Sequence, residues 1–323
     1  MITAADVARV ASATGFRADV VEKVLRLHGI LGRLDQHEIT QGTWLLKGGT
    51  ALNLLHLDVP RLSVDIDVNY VGADDVEGMR RGRPDFERAL TSCCAREGCD
   101  VRRAPSEHAG GKFRMRYPSV LGGSQNLEVD VSYVARVPMW GGIRTRIRFP
   151  PDSDLEIPTL TLEELAAGKF AALVQRETVR DAFDAANLLT LMPDLTQRPM
   201  FRIAFVCFAA GSRTDPRQLQ RADVVLTERT IEQDLDPLLR RDGQGTHLTL
   251  NALRDWIAQT VEPALAPLLA WSTRESRFLD LLLDRGEIVA EALHDEPDVQ
   301  ERIRRQPMIK WKAQHVRERR GIS

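Results

Sequence analysis

The chain has 323 residues, which is enough for one large domain or two ordinary ones. Its hydrophobic content of 43% and charged content of 28% are typical of a globular protein, and its net charge of −2 argues against a generally basic nucleic-acid binder. The sequence lacks an apolar run of roughly 18 residues, which a membrane-spanning helix needs, and its N-terminus lacks a signal-peptide pattern. We therefore expect a cytoplasmic protein that does not cross a membrane.

The first part of the chain alternates predicted helices and strands. Apolar periodicity predicts a helix over residues 5–35, and a short apolar strand follows over 43–47. A glycine pair ends that strand, and a short helix is predicted over 50–55. Alternation of apolar and polar residues predicts a second strand over 63–70.

The rest of the chain changes from strands to helices. After a helix over 85–96, three strands are predicted: 112–117, 126–134 and 143–149. Thr161 and Glu164 match the T-x-x-E capping box at the start of a helix that begins at Leu162. From about residue 193 onward the pattern predicts several amphipathic helices.

This order of elements indicates an α/β (α+β) protein. A first domain over residues 1–190 would hold a mixed sheet, and a helical C-terminal domain would occupy residues 191–323. The chemistry-bearing motifs fall in the first of these domains.

The first motif is a glycine turn between a strand and a helix, formed by Lys47, Gly48, Gly49 and Thr50. At such a turn, backbone N–H groups at the start of the helix can meet a phosphate. The glycines allow a tight turn and a close approach of the ligand, and the Thr50 hydroxyl is a further donor. The turn therefore predicts a nucleotide-binding site.

The second motif is a pair of carboxylates, Asp65 and Asp67, on the following strand. Residues two apart on a strand point to the same side, so both carboxylates share one face. Mg²⁺ prefers oxygen ligands and keeps substrate phosphates as further ligands, and a pair of such ions can hold both oxygens of an in-line displacement. Each motif alone is common, but their combination in this order favours metal-dependent phosphoryl chemistry.

Together the G-G-T and D-x-D motifs resemble the signature of the DNA polymerase β-type nucleotidyltransferase superfamily. The longer stretches LKGGTAL at 46–52 and RLSVDID at 61–67 resemble more closely the AbiEii/AbiGii toxin family, which includes the MenT toxins of mycobacteria. Many superfamily members have Gly-Ser where this chain has Gly49-Thr50, a difference that keeps the hydroxyl. The resemblance implies a nucleotidyltransferase fold, an NTP substrate, and Mg²⁺ or alternatively Mn²⁺ as the cofactor.

A second block supports the narrower resemblance. The family has K-x-x-A-L-x-x-R followed by R-D-x-x-D, which this chain matches from Lys169 to Arg176 and from Arg180 to Asp184. The resemblance implies that Lys169 neutralises charge on the triphosphate and that Arg176 contacts the nucleotide. It also implies that Asp184 acts as a base or orients the acceptor or Lys169, with Asp181 or Arg180 in support. An ordinary amphipathic helix with solvated charges is the alternative.

A third metal-binding carboxylate is expected on a later strand, where Glu128 and Asp130 share one face. We favour Asp130, which is flanked by valines as in the superfamily pattern, while two solvated carboxylates remain the alternative. Ser63 lies two residues before Asp65 on the same face, beside the expected nucleotide, where either self-modification or a plain strand hydroxyl fits.

Three groups of basic residues offer surfaces for an acceptor. Two are alternating strand triplets and one is the basic C-terminal stretch: Lys112, Arg114 and Arg116; Arg144, Arg146 and Arg148; Arg302, Arg304, Arg305, Lys310, Lys312, Arg317, Arg319 and Arg320, with Trp311 and His315. Each group fits either a charged, solvated surface or an RNA-binding surface that uses charge and stacking.

The resemblance implies a toxin of a type IV, AbiE-like toxin–antitoxin system. The enzyme would transfer a nucleoside monophosphate to an RNA acceptor, the tRNA 3′ end in particular, and so block translation. The partner would be a cognate antitoxin, an AbiEi-like transcriptional regulator. Two alternatives stay open: transfer to a hydroxyl of a protein or of a small molecule such as an antibiotic, and a non-catalytic nucleotide- or RNA-binding module.

Overall fold

The computed structural model describes residues 2–103, 110–176, 178–219, 226–241 and 248–321. Within them the helices are α1 (Ala4–Thr14), α2 (Ala18–Gln36), α3 (Gly48–Ala51), α4 (Val76–Arg96), α5 (Leu162–Arg176), α6 (Val179–Leu191), α7 (Pro199–Ala210), α8 (Glu228–Thr230), α9 (Leu250–Leu269), α10 (Thr273–Arg285), α11 (Pro297–Arg305) and α12 (Pro307–Arg320). The strands are β1 (Trp44–Lys47), β2 (Asp65–Tyr70), β3 (Asp100–Arg103), β4 (Gly110–Pro118), β5 (Ser124–Ser132), β6 (Gly142–Arg146) and β7 (Glu156–Leu160).

The strands form one seven-stranded sheet in the order β3-β4-β5-β2-β1-β7-β6. The sheet is mixed, because β2 runs parallel to β5 and β1 parallel to β7, whereas the other neighbouring pairs are antiparallel. This mixed sheet with flanking helices confirms the predicted α/β fold class.

Two compact units divide the described chain. The first contains residues 1–136, 142–160 and 232–248 and holds the whole sheet, and the second contains residues 137–141, 161–231 and 249–323 and is helical. Helices α5 and α6 thus group with the later helices. The division into domains at residue 190 stays a prediction.

One face of the sheet is apolar and covered within the first unit. The buried residues of β2 and β5 alternate with polar ones, as in a sheet with one buried face. On α4, Phe86 packs edge-on against Tyr70 with ring centroids 5.3 Å apart. On α2, the Arg26 guanidinium lies 4.1 Å from the centroid of the Tyr117 ring. The opposite face of the sheet carries the polar residues of β2 and β5.

In the second unit, helices pack through aromatic contacts. Phe170 of α5 lies edge-on to Phe201 of α7 at 5.5 Å, and Phe183 of α6 lies edge-on to Trp256 of α9 at 5.6 Å. These contacts fix the helices that carry the second family block.

Membrane crossing is not supported by the described helices, each of which is too short or too polar to span a bilayer.

The N-terminal helix differs from its prediction. Gly15 adopts a left-handed conformation, with φ of 76°, and ends α1, so residues 5–35 form two helices. Its N–H donates to the Ala11 carbonyl at 2.8 Å. A side chain at Gly15 would place a Cβ 2.7 Å from the Arg241 carbonyl oxygen, so the turn requires glycine.

The predicted capping box at α5 is wrong, although the helix begins at Leu162 as expected. The Glu164 carboxylate accepts hydrogen bonds from the N–H groups of Met139 and Trp140, both at 3.1 Å. The Thr161 hydroxyl has no hydrogen-bond partner in the described part of the chain. The Glu164 carboxylate, which the local pattern assigns to the helix cap, therefore binds backbone N–H groups of another segment instead.

Candidate active site

The glycine turn packs directly against the carboxylate strand. Gly48 has φ of 72°, a left-handed conformation that favours glycine. A Cβ at Gly48 would lie 3.0 Å from the Asp67 Cβ and closer still to its carboxylate oxygen Oδ2. Glycine at this position thus permits both the turn from β1 into α3 and the close approach of Asp67.

Asp67 lies at the centre of a polar row that crosses four strands. It is opposite Lys47 on β1 and Asp130 on β5, and Asp130 is in turn opposite Lys112 on β4. Asp65, two residues before Asp67, lies on the same face and opposite Glu128. The sheet register therefore brings Lys47, Asp65, Asp67 and Asp130 to one polar face.

Glu128 and Asp130 differ in their surroundings. Glu128 accepts hydrogen bonds from Lys112 at 2.7 Å and from Arg114 at 3.2 Å, one on each carboxylate oxygen. The Lys112 ammonium, through this hydrogen bond, lowers the pKa of Glu128 below its usual value. The Asp130 carboxylate is exposed and lies opposite Lys112, but it accepts no hydrogen bond from the side chains of the described residues. Asp130 is the more available of the two carboxylates for a ligand.

The donor set suits a hard divalent cation. Asp65, Asp67 and Asp130 supply carboxylate oxygens from adjacent strands on one face, and Mg²⁺ takes such ligands together with water and substrate phosphates. Among the described residues, no group of three His, Cys, Asp or Glu side chains is placed to hold a metal ion. Asp65, Asp67 and Asp130 thus share one face without converging, and their role as metal ligands stays a prediction.

Thr50 and Ser63 connect the turn to the carboxylate strand. Both are buried, and Thr50 Oγ1 lies 2.9 Å from Ser63 Oγ and within hydrogen-bonding distance of the Asp65 carbonyl oxygen. A hydroxyl has one proton, so Thr50 donates to the carbonyl while Ser63 donates to Thr50. The Thr50 hydroxyl is thus already engaged within the protein, which leaves the backbone N–H groups of the turn for a phosphate.

Asn69 is a residue of this face that the sequence motifs missed. It follows Asp67 by two positions on β2, opposite Ser132, and is only 3% exposed. Its side-chain oxygen has no hydrogen-bond partner among the described residues, so it is available to a donor on a ligand or a water. The continued two-residue spacing after Asp65 and Asp67 is the signal that identifies it.

The second family block forms a buried charge cluster in the helical unit. The Lys169 ammonium lies 2.8 Å from an oxygen of Asp181 and 2.8 Å from an oxygen of Asp184. The Asp184 side chain is fully buried, whereas those of Lys169 and Asp181 keep 9% and 12% exposure. This geometry favours the orienting role expected for Asp184, because its carboxylate fixes the ammonium. Arg176 and Arg180 are exposed.

The two basic strand triplets are used differently. Arg144 forms a two-pronged ion pair with Asp35, and Arg146 and Arg148 donate to backbone carbonyls. These contacts fix the loops around β6. Lys112, Arg114 and Arg116 instead extend from the polar face of β4.

The C-terminal basic stretch is partly tied down. Lys312 donates to the Ser212 carbonyl at 2.6 Å, and Arg302 donates to the Met139 carbonyl at 2.9 Å. Trp311 is 52% exposed and stacks on His315 with ring centroids 5.2 Å apart. An RNA-binding role for this stretch stays a prediction.

Comparison with known proteins decides the family. Residues 30–267 match the family model for the nucleotidyl transferase AbiEii toxin of type IV toxin–antitoxin systems. The chain belongs to the AbiEii family. This AbiEii protein is accordingly a nucleotidyltransferase and a toxin of the toxin–antitoxin class, as the motifs at 46–52 and 61–67 predicted.

The AbiEii chain is also similar to a solved structure, that of MenT4, a nucleotidyltransferase toxin from Mycobacterium tuberculosis H37Rv. The TM-score is 0.56 and the sequence identity 18%, over 95% of this chain and 99% of that chain. This likeness establishes a shared nucleotidyltransferase fold. No curated protein matches the sequence at a significant level.

Proposed function

We propose that the protein transfers a nucleoside monophosphate from an NTP to a hydroxyl of RNA, with the tRNA 3′ end as the expected acceptor. The acceptor oxygen forms a bond to the α-phosphorus as the bond to the β-phosphate oxygen breaks, and pyrophosphate leaves. The observation that carries this proposal is the row of Asp67 and Asp130, with Asp65 beside it, packed against the Gly48 turn.

Asp65, Asp67 and Asp130 are the proposed ligands of Mg²⁺, with Mn²⁺ as the alternative ion. The bound ion would neutralise phosphate charge and polarise the reacting oxygens. The N–H groups of the turn at Gly48 and Gly49 bind the triphosphate. These groups position the nucleotide and do not themselves form covalent bonds to it.

Lys169 is proposed to offset negative charge on the triphosphate. Its ammonium is held between Asp181 and Asp184, and the fully buried Asp184 keeps it in one orientation. Arg176, exposed at the end of α5, is proposed to contact the nucleotide. Proton transfer from the acceptor is left to solvent or to a carboxylate of the polar sheet face.

The biological consequence follows from the acceptor. A nucleotide added to the tRNA 3′ end blocks aminoacylation and so stops translation, as expected of a toxin. The family implies an antitoxin partner, and we propose a separate AbiEi-like regulator in that role. The cytoplasmic location expected from the sequence is where both tRNA and such a regulator are found.

The test uses purified protein, Mg²⁺, total cellular RNA and each α-labelled NTP in turn. Wild type is expected to label RNA of tRNA size with at least one NTP. An Asp65→Ala/Asp67→Ala variant should lose the label, whereas Asp85→Ala/Asp152→Ala, which removes two exposed carboxylates, should retain it. Label on the protein, or equal labelling by both variants, would contradict the proposal.

A further inference from the structure

The polar face of the sheet is divided into an acidic half and a basic half. Asp65, Asp67 and Asp130 lie on the adjacent strands β2 and β5. The neighbouring strands β4 and β3 carry the residues that we call the basic strip: Arg102, Lys112, Arg114 and Arg116. The strand register places the two halves in line across the sheet. Arg102 lies opposite Arg114, Arg114 lies opposite Glu128, and Glu128 lies opposite Asp65.

The side chains of the basic strip are exposed, and their hydrogen-bond partners distinguish them from Arg146 and Arg148. The side chains of Arg102, Arg114 and Lys112 are 85%, 67% and 42% exposed. Arg116 is also exposed, and its Nε donates to the Ser124 hydroxyl. None of the four side chains is held by a backbone carbonyl in the hydrogen bonds of the described residues, unlike Arg146 and Arg148.

Three acidic residues, Asp100, Glu128 and Asp130, share this part of the face and offset only part of the strip's four positive charges. Asp100 lies 3.9 Å from Arg102 in an exposed pair, which contributes little. Glu128 accepts hydrogen bonds from both Lys112 and Arg114, so its single negative charge is shared between two positive ones. The strip therefore keeps an excess of positive charge beside a carboxylate site.

Distance identifies the kind of anion. Neighbouring strands are about 4.8 Å apart, so Arg114 lies about 10 Å and Arg102 about 14 Å from the Asp65 strand. From Lys112 to Arg116 the strip extends about 13 Å along β4. An NTP whose triphosphate is held at the Gly48 turn and the carboxylates has no further phosphates for this area, whereas a polynucleotide carries regularly spaced phosphates across it.

We propose that the basic strip binds the phosphate backbone of the RNA acceptor and leads its reacting end to the carboxylates of β2 and β5. The inference rests on the proposed function, since it concerns the acceptor of the same site. RNA is favoured over an acidic protein because the charges follow the strands in rows, which suits a polyanion with repeated charge.

The test compares two triple variants with wild type. Arg102→Gln/Arg114→Gln/Arg116→Gln removes three charges from the strip, and Arg9→Gln/Arg88→Gln/Arg96→Gln removes three exposed charges from α1 and α4. The probe is a short fluorescent single-stranded RNA with a free 3′-hydroxyl. Its dissociation constant is measured by fluorescence anisotropy over a range of salt concentrations, and circular dichroism checks that each variant is folded.

The strip variant is expected to bind the RNA at least about tenfold more weakly and to lower the slope of log affinity against log salt by about 2, roughly 0.7 for each lost phosphate contact on a single strand. The control variant should change affinity less than about twofold. Equal affinities and slopes for the two folded variants would overturn the proposal, and an acidic protein would then be the better occupant of the strip.

A parallel assay separates this inference from the function on which it rests. Transfer of label from NTP to RNA is measured for wild type alone. If wild type transfers label to RNA but the strip variant binds RNA as tightly as wild type, the strip proposal is refuted and the proposed function is retained. Weakened RNA binding by the strip variant, without any transfer by wild type, supports the strip as an RNA-binding surface and contradicts the enzymatic proposal.

Discussion

At the scale of single residues, the site depends on how closely Gly48 and Asp67 approach each other. The left-handed backbone of Gly48 and the position of the Asp67 carboxylate together exclude a side chain at the turn. From the sequence motif alone, glycine at this position is explained by its conformational freedom. Its contact with Asp67 depends on the antiparallel register of β1 and β2. Such a contact is non-local, so the motif alone does not show it.

Gly48→Ala is expected to reduce nucleotidyl transfer by about 100-fold, because a displaced Asp67 carboxylate misplaces the nucleotide. Gly42→Ala is the matched control, since Gly42 has φ of 73° but nothing lies within 4 Å of the added Cβ. Both changes should cost about 1 kcal/mol of unfolding free energy for the left-handed conformation. Steady-state rates and urea unfolding check this, and equal activities of the two variants would contradict it.

Substitutions of Asp130 and Glu128 are expected to differ in their effect on the Mg²⁺ requirement. Asp130→Asn should raise the Mg²⁺ concentration needed for half-maximal transfer by at least about tenfold. Glu128→Gln should leave that concentration unchanged, because Lys112 and Arg114 already occupy both Glu128 oxygens. Mg²⁺ titrations of the transfer rate measure this. The reverse ranking of the two variants would assign the metal to Glu128.

At the scale of elements, α5 and α6 are joined by a buried charge cluster. Lys169 on α5 holds Asp181 and Asp184 on α6, and breaking a buried ion pair by removing one partner costs about 3–5 kcal/mol. The burial of the Asp184 side chain accompanies its contact with Lys169 on the neighbouring helix α5, which no local pattern encodes.

Lys169→Met is therefore expected to lower the unfolding free energy by about 3 kcal/mol or more at neutral pH. Lys310→Met, on the exposed part of α12, should change it by less than about 0.5 kcal/mol. Urea denaturation followed by circular dichroism gives both values. A Lys169→Met variant as stable as Lys310→Met would show that the cluster is not structural.

Glu164 at the start of α5 predicts a pH-dependent stability. Burial raises the pKa of Glu164 from 4.5 to about 7, although the N–H groups of Met139 and Trp140 oppose the shift. The folded protein thus binds this proton more tightly than the unfolded chain does. The proton's contribution to the unfolding free energy is therefore fully present below pH 4.5 and is lost as the pH rises through about 7.

The unfolding free energy of wild type relative to Glu164→Gln is therefore expected to fall between pH 5 and pH 7.5, by an amount on the order of 2 kcal/mol. The glutamine does not titrate, so the difference between the two proteins isolates this one group. Urea unfolding of both proteins at each pH measures it. A difference that stays constant or grows with pH would show that Glu164 is ionised when folded.

At the scale of the whole molecule, local patterns predicted the order of elements and the two motif blocks. Two strands were missed for local reasons, since β3 is polar and β7 contains Pro158. The basic triplets at 112–116 and 144–148 have the same alternating pattern in the sequence but form different contacts in the structure. Distant partners decide between them: Asp35 for Arg144, and the carboxylate strand β5 for Arg114.

The central claim is that this AbiEii protein moves a nucleoside monophosphate onto RNA, and the stoichiometry of that reaction tests it most directly. Purified tRNA is incubated with the protein, Mg²⁺ and the preferred NTP, and pyrophosphate release and the intact mass of the RNA are measured together. We predict one pyrophosphate for each nucleotide residue added at the RNA 3′ end. NTP consumption without a mass gain in the RNA, or a mass gain on the protein instead, would contradict the account.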